Sequence, residues 1–442
     1  MSTRRDFLKT ALGATAISFL APNMIFGKDI MGANDRINLG VIGVNSRGLT
    51  LAKNFGVRSD CKIAAICDVD TRAIEKANTQ LNDKLGYVPK NYRDLREMLE
   101  NKDIDAVAVA TPDHWHAPAC LLALKAGKHV YLEKPASYAP AEGEMLVRAA
   151  AKYNRAVQMG SQRRSMPKVI QGIKELKDGI IGDVSYAKAW YTNTRKSIGH
   201  GKVAPVPEWL DWDLWQGPAP RTEFRDNIVH YNWHWFWHWG TGEALNNGTH
   251  MVDVCRWGLE EEFPSFVSST GNRFTWDDDW ETPDTQLINI QFPSGKMLSW
   301  EGRSCNGAHS TQDPVGAIFY GTNGTLEFSE YNSYKVYDIK GNLVKEVKSD
   351  AQTDSRDISN PSGSLDNYHF TNFFDAIREG KKLNQDIDSG HKSTLLVQLG
   401  NIAYRTGTSL QIDPSNGHIL KNKAANKLWS RTYEKGWEMK LD

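Results

Sequence analysis

One short segment limits the fold more than any other, Arg36-Ile37-Asn38-Leu39-Gly40-Val41-Ile42-Gly43-Val44-Asn45-Ser46-Arg47-Gly48. Its first half alternates and then runs apolar, as a strand buried on both faces does. Its second half is a turn, and Leu49 opens a helix. Such a unit collects free backbone N–H groups and the positive end of a helix dipole at one point, which suits a pyrophosphate. The turn matches G-x-G-x-x-G at Gly43 and Gly48, with Asn45 at the second glycine position and Ser46 and Arg47 completing it. Gly43 permits the tight turn, and Gly48 lets the helix pack on the strand. Asn45 is expected to adopt the left-handed conformation in place of glycine.

The next apolar run ends at Asp68, 20 residues after Gly48, where a carboxylate takes adenosine ribose hydroxyls. An acid there favours NAD by repelling a 2′-phosphate, while Arg72 nearby leaves NADP open. Further strands are expected over 104–110, 129–132 and 156–159. Helices are expected over 71–85, 94–101, 116–126 and 140–152. Strands alternating with helices make a doubly wound parallel sheet, so residues 35–160 read as a Rossmann dinucleotide-binding domain.

Residues 1–30 read differently. Ser2-Thr3-Arg4-Arg5-Asp6-Phe7-Leu8-Lys9 is a twin-arginine sequence, followed by an apolar run over 11–22 that is too short to span a bilayer. A signal peptide, recognition by the twin-arginine export machinery and a periplasmic or otherwise exported protein are the expectations. No Cys follows the run, so no stable membrane anchor is expected. That route exports folded proteins, so a cofactor would be loaded before export and retained. The five cysteines lack C-x-x-C spacing and argue against a disulfide framework or a zinc site. Lys plus Arg and Asp plus Glu both number 53, which gives no electrostatic case for nucleic acid.

Three blocks carry a family resemblance: Thr111-Pro112-Asp113-His114-Trp115-His116, Gly127 through Glu133-Lys134-Pro135, and Gly242-Glu243-Ala244-Leu245-Asn246-Asn247-Gly248-Thr249-His250-Met251-Val252-Asp253. The chain resembles the Gfo/Idh/MocA oxidoreductases, which include glucose–fructose oxidoreductase and inositol dehydrogenase. The resemblance implies an α/β fold in which a second domain, over 161–442, carries a large, open, mostly antiparallel sheet. It also implies a homo-oligomer. Strand-like segments over 185–191, 263–272, 285–292, 295–303, 317–320, 324–329 and 334–338 agree, with helices expected over 248–257, 367–379 and 391–405. Residues 349–364 read as a long polar loop.

The same resemblance assigns the site. Lys134, at the end of the fourth strand, is expected to hydrogen-bond a substrate hydroxyl or relay its proton, and His250 to accept that proton. Asp253 is expected to orient His250 or to cap a hydrogen-bond network rather than to act itself. Asn246 stands where many sugar dehydrogenases of the family have Asp; it can position a hydroxyl but cannot take a proton. Thr111, His114, His116 and Glu133 are expected to line the cofactor. Arg163 and Arg164 are candidates to meet substrate at the cleft. Trp233, Trp235, Trp237 and Trp239 alternate, which predicts a strand or extended loop with one aromatic face, and makes Trp235 and Trp237 candidate carbohydrate contacts. No metal spacing is present. The reading that follows is hydride transfer between a sugar or glycoside hydroxyl and a tightly bound NAD(P). The alternatives are a redox-neutral glycosidase or lyase acting through a transient keto-sugar, and a non-catalytic carbohydrate-binding protein.

Overall fold

Ile37–Ile42 forms the middle of a six-stranded, all-parallel sheet. Across this sheet the strands run Lys90–Tyr92, Cys61–Cys67, Ile37–Ile42, Ala106–Val109, His129–Leu132 and Val157–Met159. The computed structural model describes residues 36–307, 313–329, 332–351, 360 and 362–441. The expected export signal and most of the 349–364 loop lie outside the described residues. Ala106–Val109 is buried at every position, as a parallel strand covered by helices on both faces must be. Lys90–Tyr92 was not foreseen, because a three-residue edge strand of exposed Lys90 and Asn91 and half-buried Tyr92 carries no apolar signal. The strand order reverses between Ile37–Ile42 and Ala106–Val109, which opens a crevice beyond their carboxyl ends.

The second sheet has nine strands, in the order Leu343–Val347, Ser333–Asp338, Gly324–Ser329, Val315–Gly321, Val184–Thr192, Met297–Arg303, Thr285–Gln291, Phe266–Asn272 and Leu410–Gln411. Every pairing is antiparallel except Val184–Thr192 with Met297–Arg303. Burial alternates along Thr285–Gln291. Its inward residues, Ile288 and Ile290, meet the helices Thr249–Leu259 and Ile387–Thr406 in one core.

The boundary expected after residue 160 is crossed by packing. The helix Asp366–Glu379 returns to the parallel sheet, where Phe370, Phe373 and Phe374 join Phe55 and Tyr131 in its core. The rings of Phe55 and Phe370 stack at 3.8 Å.

The tryptophan-rich run is not the expected strand. Asn232–Trp235 is a turn of 3-10 helix. The chain then doubles back, so that a Cβ on Gly240 would lie 2.6 Å from the Trp233 carbonyl oxygen. Alternation along the sequence therefore gives no common face.

Candidate active site

The crevice begins at the glycine turn. Gly43 has φ +82°, and a Cβ on Gly48 would sit 1.7 Å from the Gly43 oxygen, so only glycine fits both positions. Asn45 does not take the expected left-handed conformation: among the described residues only Asn154, Glu260 and Lys421 do so without being glycine. Gly43 alone supplies the left-handed step, and the Asn45 carbonyl accepts from Lys76 Nζ at 2.9 Å. Asp68 lines the crevice and braces the turn, accepting the Val44 N–H at 2.7 Å and the Asp70 N–H at 3.0 Å. Burial pushes its carboxyl above the ordinary value, against the pull of those two N–H groups. Arg72 is committed elsewhere, to Asp70 at 3.0 Å and over the Trp209 ring at 3.2 Å.

Arg47, in the first turn of its helix, pairs with Glu133 at 2.9 Å and with Asp366 at 2.8 Å. Glu133 also accepts from Gln162 at 3.3 Å. The Lys134 N–H donates to Glu133 at 3.3 Å, while the Lys134 ammonium turns to the second domain. Its Nζ reaches the Asn246 carbonyl oxygen at 2.5 Å and Oδ1 at 3.1 Å. Burial lowers the Lys134 pKa, opposed by Glu133, Asp113 and Glu243. His116 spans the ends of two strands, with Nδ1 2.6 Å from the Pro135 oxygen and Nε2 2.9 Å from the Thr111 oxygen.

Asn246 lies on a single π-helical turn, Ala244–Gly248, that leads directly into Thr249–Leu259. His250 follows in the first turn of the α-helix and faces the same crevice as Lys134. Burial, then Lys134, Arg163 and Arg47, hold its imidazole pKa well below the usual value, so the ring is neutral at neutral pH. Its Nδ1 meets no hydrogen-bond partner among the described residues.

These residues fit a nicotinamide dinucleotide. The glycine turn leaves backbone at the pyrophosphate position, and Asp68 stands at the ribose end. Thr111 Oγ1 is buried with no partner among the described residues, and Lys134 closes the far end. Residues 37–161 match the Gfo/Idh/MocA family model for the NAD-binding Rossmann fold, and 209–412 match its C-terminal alpha/beta domain. The chain belongs to the Gfo/Idh/MocA oxidoreductase family.

Relatives of this chain include the glycosyl hydrolase family 109 protein 2 of Shewanella sp. (strain ANA-3), 33% identical over 213 residues, covering 42% of this chain and 45% of that one. The glycosyl hydrolase family 109 protein of Saccharopolyspora erythraea is 29% identical over 319 residues, covering 68% and 65%. The chain thus spans from under half to about two thirds of these relatives. Levoglucosan dehydrogenase, solved in complex with NADH, shares the fold at 17% identity and a TM-score of 0.66, over 86% of this chain and 99% of that one.

The structure departs from the sequence reading at several side chains. Asp253 does not touch His250. It is fully buried and takes two 2.8 Å hydrogen bonds from Arg164, with others from Gln385 and Ser393. Arg164 is thereby a core cation with its guanidinium 4.6 Å from the Trp257 ring, not a cleft contact. Arg163 is buried as well and lowers the His250 pKa by its charge. His114 does not line the crevice; it is buried between Trp215 and Trp239, at 5.1 and 5.2 Å. Trp235 stacks on Trp280 at 3.9 Å, and Trp237 faces a different cavity. Trp233 and His234 reach the crevice instead.

A buried network behind Asn246 was missed. Asn246 Nδ2 donates to Glu243 at 3.2 Å, Glu243 pairs with Arg195 at 2.6 Å, and Arg195 donates to Tyr231 Oη at 2.8 Å. Glu243 lies inside a block already singled out, three residues before Asn246. Arg195 sits beyond the end of a strand with no motif around it. Among the described residues no group of three His, Cys, Asp or Glu side chains could hold a metal ion.

Proposed function

We propose that the protein oxidises a ring hydroxyl of a sugar or glycoside with a tightly held nicotinamide dinucleotide, NAD in preference to NADP. The observation that carries this reading is one crevice running from the Gly43–Gly48 turn to Lys134, Asn246 and His250. Bound there, the dinucleotide supplies a hydride acceptor. Lys134 holds the substrate oxygen, Asn246 fixes the Lys134 ammonium, and neutral His250 takes the hydroxyl proton. The carbinol C–H leaves as hydride, and a ketone remains. Asn246 accepts no proton, so both proton-handling roles fall to Lys134 and His250.

The glycosyl hydrolase family 109 relatives favour a second reading of the same site. A transiently oxidised glycoside has an acidified C–H beside the ketone. It expels the glycosidic oxygen, adds water, and regains its hydride, with no net oxidation.

Incubation of the purified protein with a panel of glycosides, followed by nicotinamide absorbance and product mass, separates the two. A lasting absorbance rise with a keto-sugar supports oxidation. Released aglycone without net reduction supports the second reading. No change in either signal across the panel overturns both.

Export is proposed on Arg4-Arg5 with Phe7-Leu8, and is checked by cell fractionation of the R4K/R5K variant. A homo-oligomer is proposed on exposed Leu287, Met297 and Tyr320 of the second sheet, and is checked by solution mass.

A further inference from the structure

Behind the crevice lies a second cavity of about 510 Å³, lined by residues that the oxidoreductase reading does not use. The two cavities share a wall. Trp233 and His234 face the first, whereas Trp237 and His238 face the second. On the following turn Asn246 faces the first and Leu245 the second.

Three cations converge on the second cavity: Arg405, Lys427 and Arg431. Arg405 lies over the Trp237 ring at 4.9 Å, and Arg431 over the Tyr138 ring at 5.0 Å. Stacking of this kind holds a guanidinium plane in place and leaves its N–H edge available to an oxyanion. Among the described residues neither Arg405 nor Lys427 has a carboxylate partner.

Arg431 is the buried member, its side chain 7% exposed. Its Nε lies 3.6 Å from Glu142, and its Nη1 donates to the His114 carbonyl at 3.3 Å. Its Nη2 meets no partner among the described residues. Glu142 is its ion-pair partner on the Nε side but takes closer hydrogen bonds from Tyr433 at 2.8 Å and from the Tyr138 N–H at 3.0 Å, and it does not reach the Nη2 edge. A buried guanidinium donor without an acceptor is unfavourable, and an oxyanion is the acceptor it lacks.

The volume falls in the range of small-molecule pockets, about 300–1,000 Å³, so the room exceeds what a bare ion needs. Gln398 on the wall suits a hydroxyl group, because its Oε1 is buried without a partner among the described residues.

We propose that this cavity is a second binding site, which takes the carboxylate, sulfate or phosphate group of a sugar-sized ligand on Arg405, Lys427 and Arg431. The site stands whether or not the first cavity oxidises sugars.

The test is calorimetric titration of the full-length protein with glucuronate, sulfate, inorganic phosphate and glucose at constant ionic strength, beside R405A/K427A. Both replaced side chains belong to exposed residues, so the melting temperature of the variant should match that of the parent. The expected result is saturable binding of glucuronate and none of glucose, weakened about tenfold or more in R405A/K427A. Sulfate or phosphate binding as tightly as glucuronate identifies a free inorganic oxyanion as the ligand of the same cations. Absence of saturable binding by all three anions, or unchanged affinity in R405A/K427A, overturns the proposal.

Discussion

Lys134 Nζ lies 2.5 Å from the main-chain oxygen of Asn246 and 3.1 Å from its side-chain oxygen, a junction between the end of a parallel strand and the π-helical turn of the second domain. The Lys134→Ala variant removes the group proposed to hold the substrate oxygen. Its hydride-transfer rate should fall by about 10²–10⁴-fold while dinucleotide affinity stays near that of the parent. Single-turnover nicotinamide absorbance reads the first quantity and equilibrium titration the second. A near-normal rate would remove Lys134 from the chemistry.

Asp68 is both a lining carboxylate and a brace for the turn, so its replacement is best read as a ratio. Asp68→Ala should weaken NAD by about tenfold or more and NADP by less. Fluorescence titration of both dinucleotides measures this. Tighter binding of NADP than of NAD by the unaltered protein would show that Asp68 does not set the preference.

Asp253 belongs to stability. Removing it leaves Arg164 buried without its partner, and breaking such a pair costs about 3–5 kcal/mol. Urea unfolding of Asp253→Ala should show a loss of that order. A variant of parental stability with lost activity would return Asp253 to the proton pathway.

Acid should destabilise the fold early. Burial lowers the pKa of His369 and His391 to about 4, from an ordinary 6.5, and holds that of His250 well below its ordinary value. Between those values the unfolded chain binds protons that the folded chain refuses, so stability is full above about pH 6.5 and falls as pH drops toward 4. Melting temperature followed from about pH 7 to about pH 5 should decline; a flat profile would mean that these rings accept protons where they stand.

The parts of this molecule that were readable in advance are those written locally. Gly43 and Gly48 are dictated by the turn's own backbone, through a left-handed φ and a 1.7 Å approach, and the strand at Gly324–Ser329 announces itself by alternation. Lys134 and His250 were found by motif, and both face the crevice. Arg164 and Asp253 stand 89 positions apart, and no local pattern joins them. The tryptophan run failed for a different reason: parity assigns faces only once a strand exists, and Gly240 folds this segment back on itself. Glu243 and Arg195 were hidden because a carboxylate held by a distant guanidinium looks, in a sequence, like any surface acid.

The helix Asp366–Glu379 also sets an order of events during synthesis. The ribosome releases the six parallel strands some two hundred residues before it releases Phe370, Phe373 and Phe374, which cover one face of them. Until then that face is open, and Arg47 lacks the Asp366 carboxylate that fixes it beside the glycine turn. The nascent first domain is therefore an unfinished vessel, and a shortened gene ending after residue 160 should yield aggregated protein rather than a small dinucleotide binder.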